Sequence, residues 1–452
     1  MSSPTFSFRC KFRITPLAAI LLSVAIALSP GSAPAAGLLT DGVGAHSQAM
    51  GGAAVTGYGS AVEALGANPG ALSLMEKPQI ELGGDFGWVN ADFHNRANSG
   101  ANLRDFGALP NGAIGGTLGP VSAALGFIPD AVMSADWGYR DTPGGLDGAT
   151  SYGEQRHFSQ IALVRFAFGA SYAITPRLSI GASAGLLYNR NRLQAPYIIQ
   201  SQPQLAGAKT LLDLETDGWG WNGQFGILWK PIDTVRIGVS YTMPSRLRTH
   251  GHATSDATKQ LANLGLTGVD ATTDFDAEVT NNFPQIVSFG AAWRCVPRLE
   301  LVAQVDWIDW TTAFNSLEVN LTHTKSPLYQ ALLANQNHLN DRAALDWRSQ
   351  WVLRLGADWH VTDHLSLRAG YRYARSPVPD STLTPLTAAI DEHVFTTGLA
   401  WQQGRYHADL AYQYHIPHHQ HVDQSALLSG EYSNSDINVS FHTLALTVGM
   451  EF

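Results

Sequence analysis

The chain has 452 residues, with 28 Lys+Arg against 37 Asp+Glu, 45% apolar, 10% aromatic and only 14% charged residues. That charge is too sparse for a soluble chain of two or three domains, and a mean hydropathy of −0.05 is too low for a helical membrane bundle. The apolar and aromatic content excludes disorder, and the net charge of −9 excludes a basic nucleic-acid binder. What remains is an outer-membrane β-barrel, whose alternate residues face lipid and lumen so that mean hydropathy cancels.

Arg9, Lys11 and Arg13 precede an uncharged run from Leu17 to Leu28, followed by Ser32-Ala33-Pro34-Ala35-Ala36. This order predicts a secretory signal peptide over residues 1–35, since the run is too short to span a bilayer as a helix. Cleavage removes Cys10 and leaves Cys295, so an intramolecular disulfide is not expected. Residues 36–78 are rich in Gly and Ala and too poor in long apolar residues to fold alone. They are expected to plug the barrel formed by residues 79–452.

From Phe106 to Pro129 no residue is charged, but Pro110, Pro120, Pro129 and six glycines interrupt the run. That density predicts two strands and a turn, not a helix. Period-2 alternation follows repeatedly. Trp351, Leu353, Leu355, Ala357 and Trp359 interleave with Val352, Arg354, Gly356, Asp358 and His360, and Leu444–Phe452 obeys the same rule. A soluble sandwich would bury the apolar face; a membrane barrel would turn it to lipid. Strands of about ten residues ending in Trp or Tyr favour the barrel. So do short turns at one end (Thr175-Pro176-Arg177) and long loops at the other (201–217, 250–274, 321–345, 417–436). The predicted all-β fold is a 14-stranded antiparallel transmembrane β-barrel, with approximate strand limits 79–93, 112–119, 121–137, 155–174, 178–194, 218–230, 234–249, 275–295, 298–319, 347–360, 365–376, 393–402, 405–417 and 439–452. An even count closes the sheet and satisfies every amide in lipid.

Parity points Arg236, Arg354, Arg368 and Arg372 into the lumen, either as cations for a ligand carboxylate or as partners of Asp306, Asp358 and Asp409. Gly181-Ala182-Ser183-Ala184-Gly185 fits a hydrolase elbow by letters alone, because Ser183 lies mid-strand. His415, His418, His419 and His421 are read as a polar extracellular loop, their spacing being irregular for a metal site. Gly112–Gly119 lacks the context of a phosphate loop. No catalytic residue, metal or cofactor is expected.

In order along the chain, Ala49-Met50-Gly51-Gly52-Ala53, Asn68-Pro69-Gly70, Gly218-Trp219-Gly220-Trp221, Asn282-Phe283-Pro284 and Ser376-Pro377-Val378-Pro379 resemble the FadL family of outer-membrane transporters. Gly70 replaces that family's usual Ala. The resemblance implies a fourteen-stranded barrel with an N-terminal hatch, and passive uptake of hydrophobic compounds, above all long-chain fatty acids. It implies lateral release through a gap at a kinked third strand, here Gly126, Phe127 and Pro129. Pro129 should open the ladder and Gly126 should allow a bulge. Asn68, Pro69 and Gly70 would gate by resting against that kink. Leu38, Arg190, Arg192, Arg236 and Arg354 are the ligand-binding candidates, although Arg190 and Arg192 would need a bulge to turn inward. Expected partners are a hydrophobic small molecule, outer-membrane lipid and lipopolysaccharide, and the outer-membrane assembly machinery, which receives chains with an aromatic terminus such as Phe452. A monomer without nucleic acid is expected. The alternatives are transport of aromatic hydrocarbons or alkanes on the same fold, a diffusion porin for polar solutes, and an outer-membrane lipid-modifying enzyme.

Overall fold

The computed structural model describes residues 38–333 and 338–452; the signal-peptide reading of residues 1–35 lies outside them. The chain runs through β1 (Gln79–Asn95), β2 (Asn98–Leu118), β3 (Val121–Arg140), β4 (Glu154–Thr175), β5 (Leu178–Ile198) and β6 (Lys209–Ile232). Four interrupted strands follow: β7 (Val235–Thr242, Ser245–Asp256), β8 (Thr272–Phe283, Ile286–Val296), β9 (Leu299–Ile308, Ser316–Thr322) and β10 (His338–Ala344, Gln350–His360). The last are β11 (Leu365–Ala374), β12 (His393–Gln403), β13 (Tyr406–Val422) and β14 (Ser435–Glu451). Every strand is antiparallel to its neighbour, and β14 returns to β1 from Gln79↔Glu451 to His94↔Asp436. The result is a closed barrel of fourteen strands.

The direction of the apolar face separates barrel from sandwich. On β10, Trp351, Leu353 and Leu355 are 67%, 38% and 42% exposed, whereas Val352, Arg354 and Asp358 are buried. A water-soluble fold would reverse this. Among the described residues no helix is long and apolar enough to cross a membrane.

Several strands are longer than the sequence limits. β2 begins at Asn98, and the expected loops 201–217 and 250–274 partly continue as β6 and β7, which pair from Leu211↔Asp256 to Asp217↔His250. Strands standing clear of lipid need no apolar outer face, so their alternation fades. The interruptions in β7–β10 fall at one level, with Ile286↔Thr242 below and Ser245↔Phe283 above. Pro244 and Pro284 occupy the break, where their missing N–H groups cost no ladder bond. Phe283, Trp310, Phe314 and Trp347 fill its inner side with ring contacts of 4.9–6.3 Å.

Residues 38–78 run inside the barrel. They form α1 (Ala45–Ala49), α2 (Ala61–Ala67) and a 3-10 turn, Pro69–Leu74. The Ser60 hydroxyl accepts from the Glu63 N–H and starts α2. Asn68 ends that helix and caps the turn by accepting from the Gly70 N–H at 2.9 Å. The segment's backbone lies directly on the wall. A Cβ at Gly226 would overlap Asn68, and one at Gly370 would overlap Gly51.

Candidate functional site: an apolar chamber beside an unpaired edge

The β2–β3 ladder runs from Leu118↔Val121 to Gly112↔Phe127 and stops. Beyond it β2 stays on β1 and β3 stays on β4, so the two strands part above Phe127. Pro129 lies just past the parting, where a residue without an N–H loses nothing. It does not end the strand, which continues to Arg140. The expected bulge at Gly126 is not there. Gly126 keeps regular register between Ala113 and Ala167, and the bulge falls at Asp130, between Pro129↔Val164 and Ala131↔Leu163. Gly126 instead answers crowding, because a Cβ would come within 2.7 Å of the Gly112 carbonyl and 3.0 Å of Leu65.

The free edge of β3 meets the start of the interior segment. The Val132 N–H donates to the Leu38 carbonyl at 2.9 Å, and the Thr40 N–H donates to the Asp130 carbonyl at 3.2 Å. Thr40 also donates its hydroxyl to the Pro129 carbonyl. Asp41, the next residue, is buried between Arg354 (3.0 Å) and Arg372 (3.1 Å).

Above this contact the lumen is apolar. Leu38, Val89, Leu103, Trp137 and Phe441 belong to one buried cluster with Leu383, Ala389 and Ile390 from the loop between β11 and β12. Trp137 anchors that loop by donating its indole N–H to the Pro385 carbonyl at 3.1 Å. A cavity of about 40 Å³ remains between the loop and Met133, Ala135 and Phe441. A second, of about 140 Å³, lies deeper among Leu39, Leu163, Met243, Phe283 and Ile308, with Arg165, Asn222 and Gln224 on its polar side. Below the interior segment the character inverts: a space of about 610 Å³ is lined by His46, Glu63, Glu81, Arg236, Glu300 and Arg368.

The structure does not place Asn68 against β3. Its amide donates to the Val55 carbonyl at 2.7 Å and to the Ile227 carbonyl on β6 at 3.0 Å. The turn docks there because Gly181 and Gly226 leave room for Pro69 and Gly70, and a Cβ on Gly70 would stand 2.9 Å from the Gly226 carbonyl. Arg190 and Arg192 also depart from their expected role. β5 carries no bulge, so both point outward and share Glu215. Leu38 does lie in the apolar cluster.

Arg236 and Arg354 face inward but are already paired, with Glu300 (2.6 Å) and with Asp306 (2.7 Å) and Asp41. Arg165 holds Asp130, Arg368 holds Asp358 and Asp409, and Arg372 holds Asp391. His415 is buried against Asp391 at 2.9 Å, apart from the exposed His419 and His421. Asp41, Asp391 and His415 lie close enough for a metal, but the Arg372 guanidinium hydrogen-bonds Asp391, ion-pairs with Asp41 at 3.1 Å and so fills the cation's place. Ser183 is buried in the middle of β5 without a sharp turn. The sequence reading missed Asp41 and Thr40. It met the β11–β12 loop only through Ser376-Pro377-Val378-Pro379, and the periodicity of that loop betrays nothing of its inward course.

A closed barrel with an apolar outer face and a filled lumen defines an outer-membrane channel protein. The chain belongs to the family described as outer membrane protein transport protein (OMPP1/FadL/TodX), whose model matches residues 25–452. These are transport channels, not enzymes. The fold is similar to that of a Pseudomonas aeruginosa FadL homologue, at 17% identity and TM-score 0.73, covering 92% of this chain and 100% of that one. It is also similar to the Pseudomonas putida toluene transporter TodX (22%, TM-score 0.72, 92% and 100%). The Ralstonia pickettii toluene transporter TbuX gives 18% and TM-score 0.69, over 91% of this chain and 99% of that one. A curated relative, the outer membrane protein NMB0088 of Neisseria meningitidis serogroup B, is 21% identical over 234 residues; the match spans 50% of this chain and 47% of that protein.

Proposed function

We propose that the protein carries small uncharged hydrophobic compounds, monoaromatic hydrocarbons foremost, from the extracellular side into the apolar chamber and releases them sideways where β2 and β3 part. In this reading residues 38–78 are the hatch that closes the way down. The inversion of lumen polarity carries the proposal. A compound in the chamber that continued downward would enter a charged, hydrated space, at about 0.8 kcal/mol for each CH₂ re-exposed to water. Movement past the β3 edge keeps it among apolar groups. A fatty-acid carboxylate would need an available cation, and Arg165, Arg236, Arg354, Arg368 and Arg372 each already hold a carboxylate. That favours hydrocarbons over fatty acids, and two of the similar structures are toluene transporters.

The test is uptake of radiolabelled toluene and oleate by cells lacking their own transporter. They would express wild type or a straightened strand (Pro129→Val, Asp130 deleted, Arg165→Leu to avoid a stranded cation). Toluene uptake lost in the variant, with the barrel still heat-modifiable, supports side release. Equal uptake in both proteins rejects it, and oleate uptake alone replaces the hydrocarbon reading with fatty acids.

A further inference from the structure

The extracellular ends of β13 and β14 carry a side-chain cluster that channel function does not use. His419 and His421 are two residues apart on β13 and therefore share one face. His421 stands directly opposite Asp436 on β14, and His419 opposite the adjacent outward residue, Asn438. Both imidazoles converge on one atom: His419 Nε2 lies 2.9 Å and His421 Nδ1 2.8 Å from Asp436 Oδ1. The three side chains are 60%, 43% and 41% exposed, so the cluster opens to solvent.

We propose that His419, His421 and Asp436 form a surface site for one borderline divalent transition-metal ion, of the Zn(II) or Cu(II) class. Two imidazoles and a carboxylate are the donor set such ions prefer, whereas Mg(II) and Ca(II) select oxygen alone. The two ring nitrogens flank Asp436 Oδ1 too far apart to enclose an ion as they stand, and rotation of the exposed imidazoles closes the three ligand atoms to the separation of about 3.3 Å that tetrahedral coordination at about 2.0 Å sets. Rigid strands hold all three residues, and solvent supplies the remaining position.

A second feature points the same way. The other ring nitrogen of His421, Nε2, lies 3.2 Å from Asp423 Oδ1. A metal-binding histidine typically donates its second N–H to a carboxylate, which fixes the tautomer and strengthens the ligand. Asp423 fills that role and leaves Nδ1 facing Asp436.

A related pair on the same barrel shows what is missing when the geometry fails. His250 and His252 on β7 have identical spacing, yet His250 meets Glu278 at 3.6 Å while the neighbouring Asp276 takes His323 at 2.9 Å. Their carboxylates are divided between partners. Only at Asp436 do two rings of one strand share an oxygen in this way among the described ion pairs.

The experiment is a Cu(II) titration of the purified full-length mature barrel in detergent, followed by electron paramagnetic resonance, with Zn(II) as competitor. Wild type and His418→Ala should take up one equivalent with two-nitrogen coordination that Zn(II) displaces. His419→Ala/His421→Ala should lose that equivalent, and Asp436→Asn should bind at least about tenfold more weakly. His250 and His252 remain in every protein, so their contribution cancels. A double variant that binds as many equivalents as wild type, with the same spectrum, overturns the site. So does a wild type that takes up none.

Discussion

The Thr40 hydroxyl donates to the Pro129 carbonyl at 3.1 Å, joining the interior segment to the edge that β2 vacates. One side chain thus touches both the start of the interior segment and the wall where it opens. Neighbouring backbone bonds from Thr40 and Val132 make this a short strand laid on β3. The parting of β2 from β3 and the first described residues of the chain are therefore one structure.

Asp41 holds that strand in place through Arg354 and Arg372. Removing one member of a buried ion group costs about 3 kcal/mol or more. Asp41→Asn should free residues 38–41 from β3 while leaving the barrel closed. Hydrogen exchange at the Val132 amide is the readout, because that N–H donates to the Leu38 carbonyl. Unchanged protection would assign the tether to the backbone bonds alone.

Asn68→Ala strips the donor from the Val55 and Ile227 carbonyls and the acceptor from the Gly70 N–H. Orphaned buried groups cost about 1–3 kcal/mol each. Proteolysis within residues 61–75 should accelerate in this variant, with β3 unaffected. Exposure of β3 instead would return Asn68 to the third-strand role that the sequence suggested.

Arg190→Ala and Arg192→Ala should leave uptake unchanged, since both side chains lie on the outer face against Glu215. A fall in uptake without loss of folded barrel would make them ligand contacts after all.

Three extracellular elements meet at Lys209, which is fully buried and lies 2.6 Å from Asp141 and 3.3 Å from Glu431. Burial pushes the Glu431 carboxyl up to about 7, against the pull of Lys209 and with the help of Asp141. A carboxyl raised from its usual 4.5 binds more protons folded than unfolded. Its stabilising contribution is therefore complete below about 4.5 and is lost as pH rises towards 7. A nitroxide at Leu428→Cys, in a Cys295→Ser background, should become more mobile between pH 5 and 8. Glu431→Gln should abolish the change, and an equal change in both proteins would locate the titration elsewhere.

All fourteen strands were legible in the sequence because lipid imposes alternation wherever a strand crosses it. Trp351 to Trp359 could be read directly for this reason. Legibility fades where the outer face meets water: residues 209–217 and 250–256 bury Leu212, Leu214 and Ala253 inward but turn mostly polar groups outward, so no lipid-facing apolar row marks them as strands. The bulge was placed at Gly126 because glycine is the commoner signal, whereas Asp130 bulges beside a proline and is held by Arg165. The Asn68 contact was misplaced for a different cause. Its partner is a carbonyl on β6, and backbone acceptors leave no mark in a sequence. The arginine partners were legible in part: Asp306, Asp358 and Asp409 sit at lumenal parity, but Asp41 and Asp391 come from irregular segments without period.

The wall's bare glycines carry a mechanical consequence. Gly370 brings barrel backbone against the backbone of Gly51 and Gly226 brings it against the side chain of Asn68, while Met50 packs on Gly356 and Leu65 on Gly126 and Gly169. A cork seated in this way fits the wall so closely that a single added methyl group at these glycines would displace it. The stretch from Leu38 to Gly44 has no such collar; hydrogen bonds and ion pairs hold it, and Gly42 and Gly44 adopt positive φ within it. Displacing this segment would therefore begin by peeling its first residues, with the rest left in its seat.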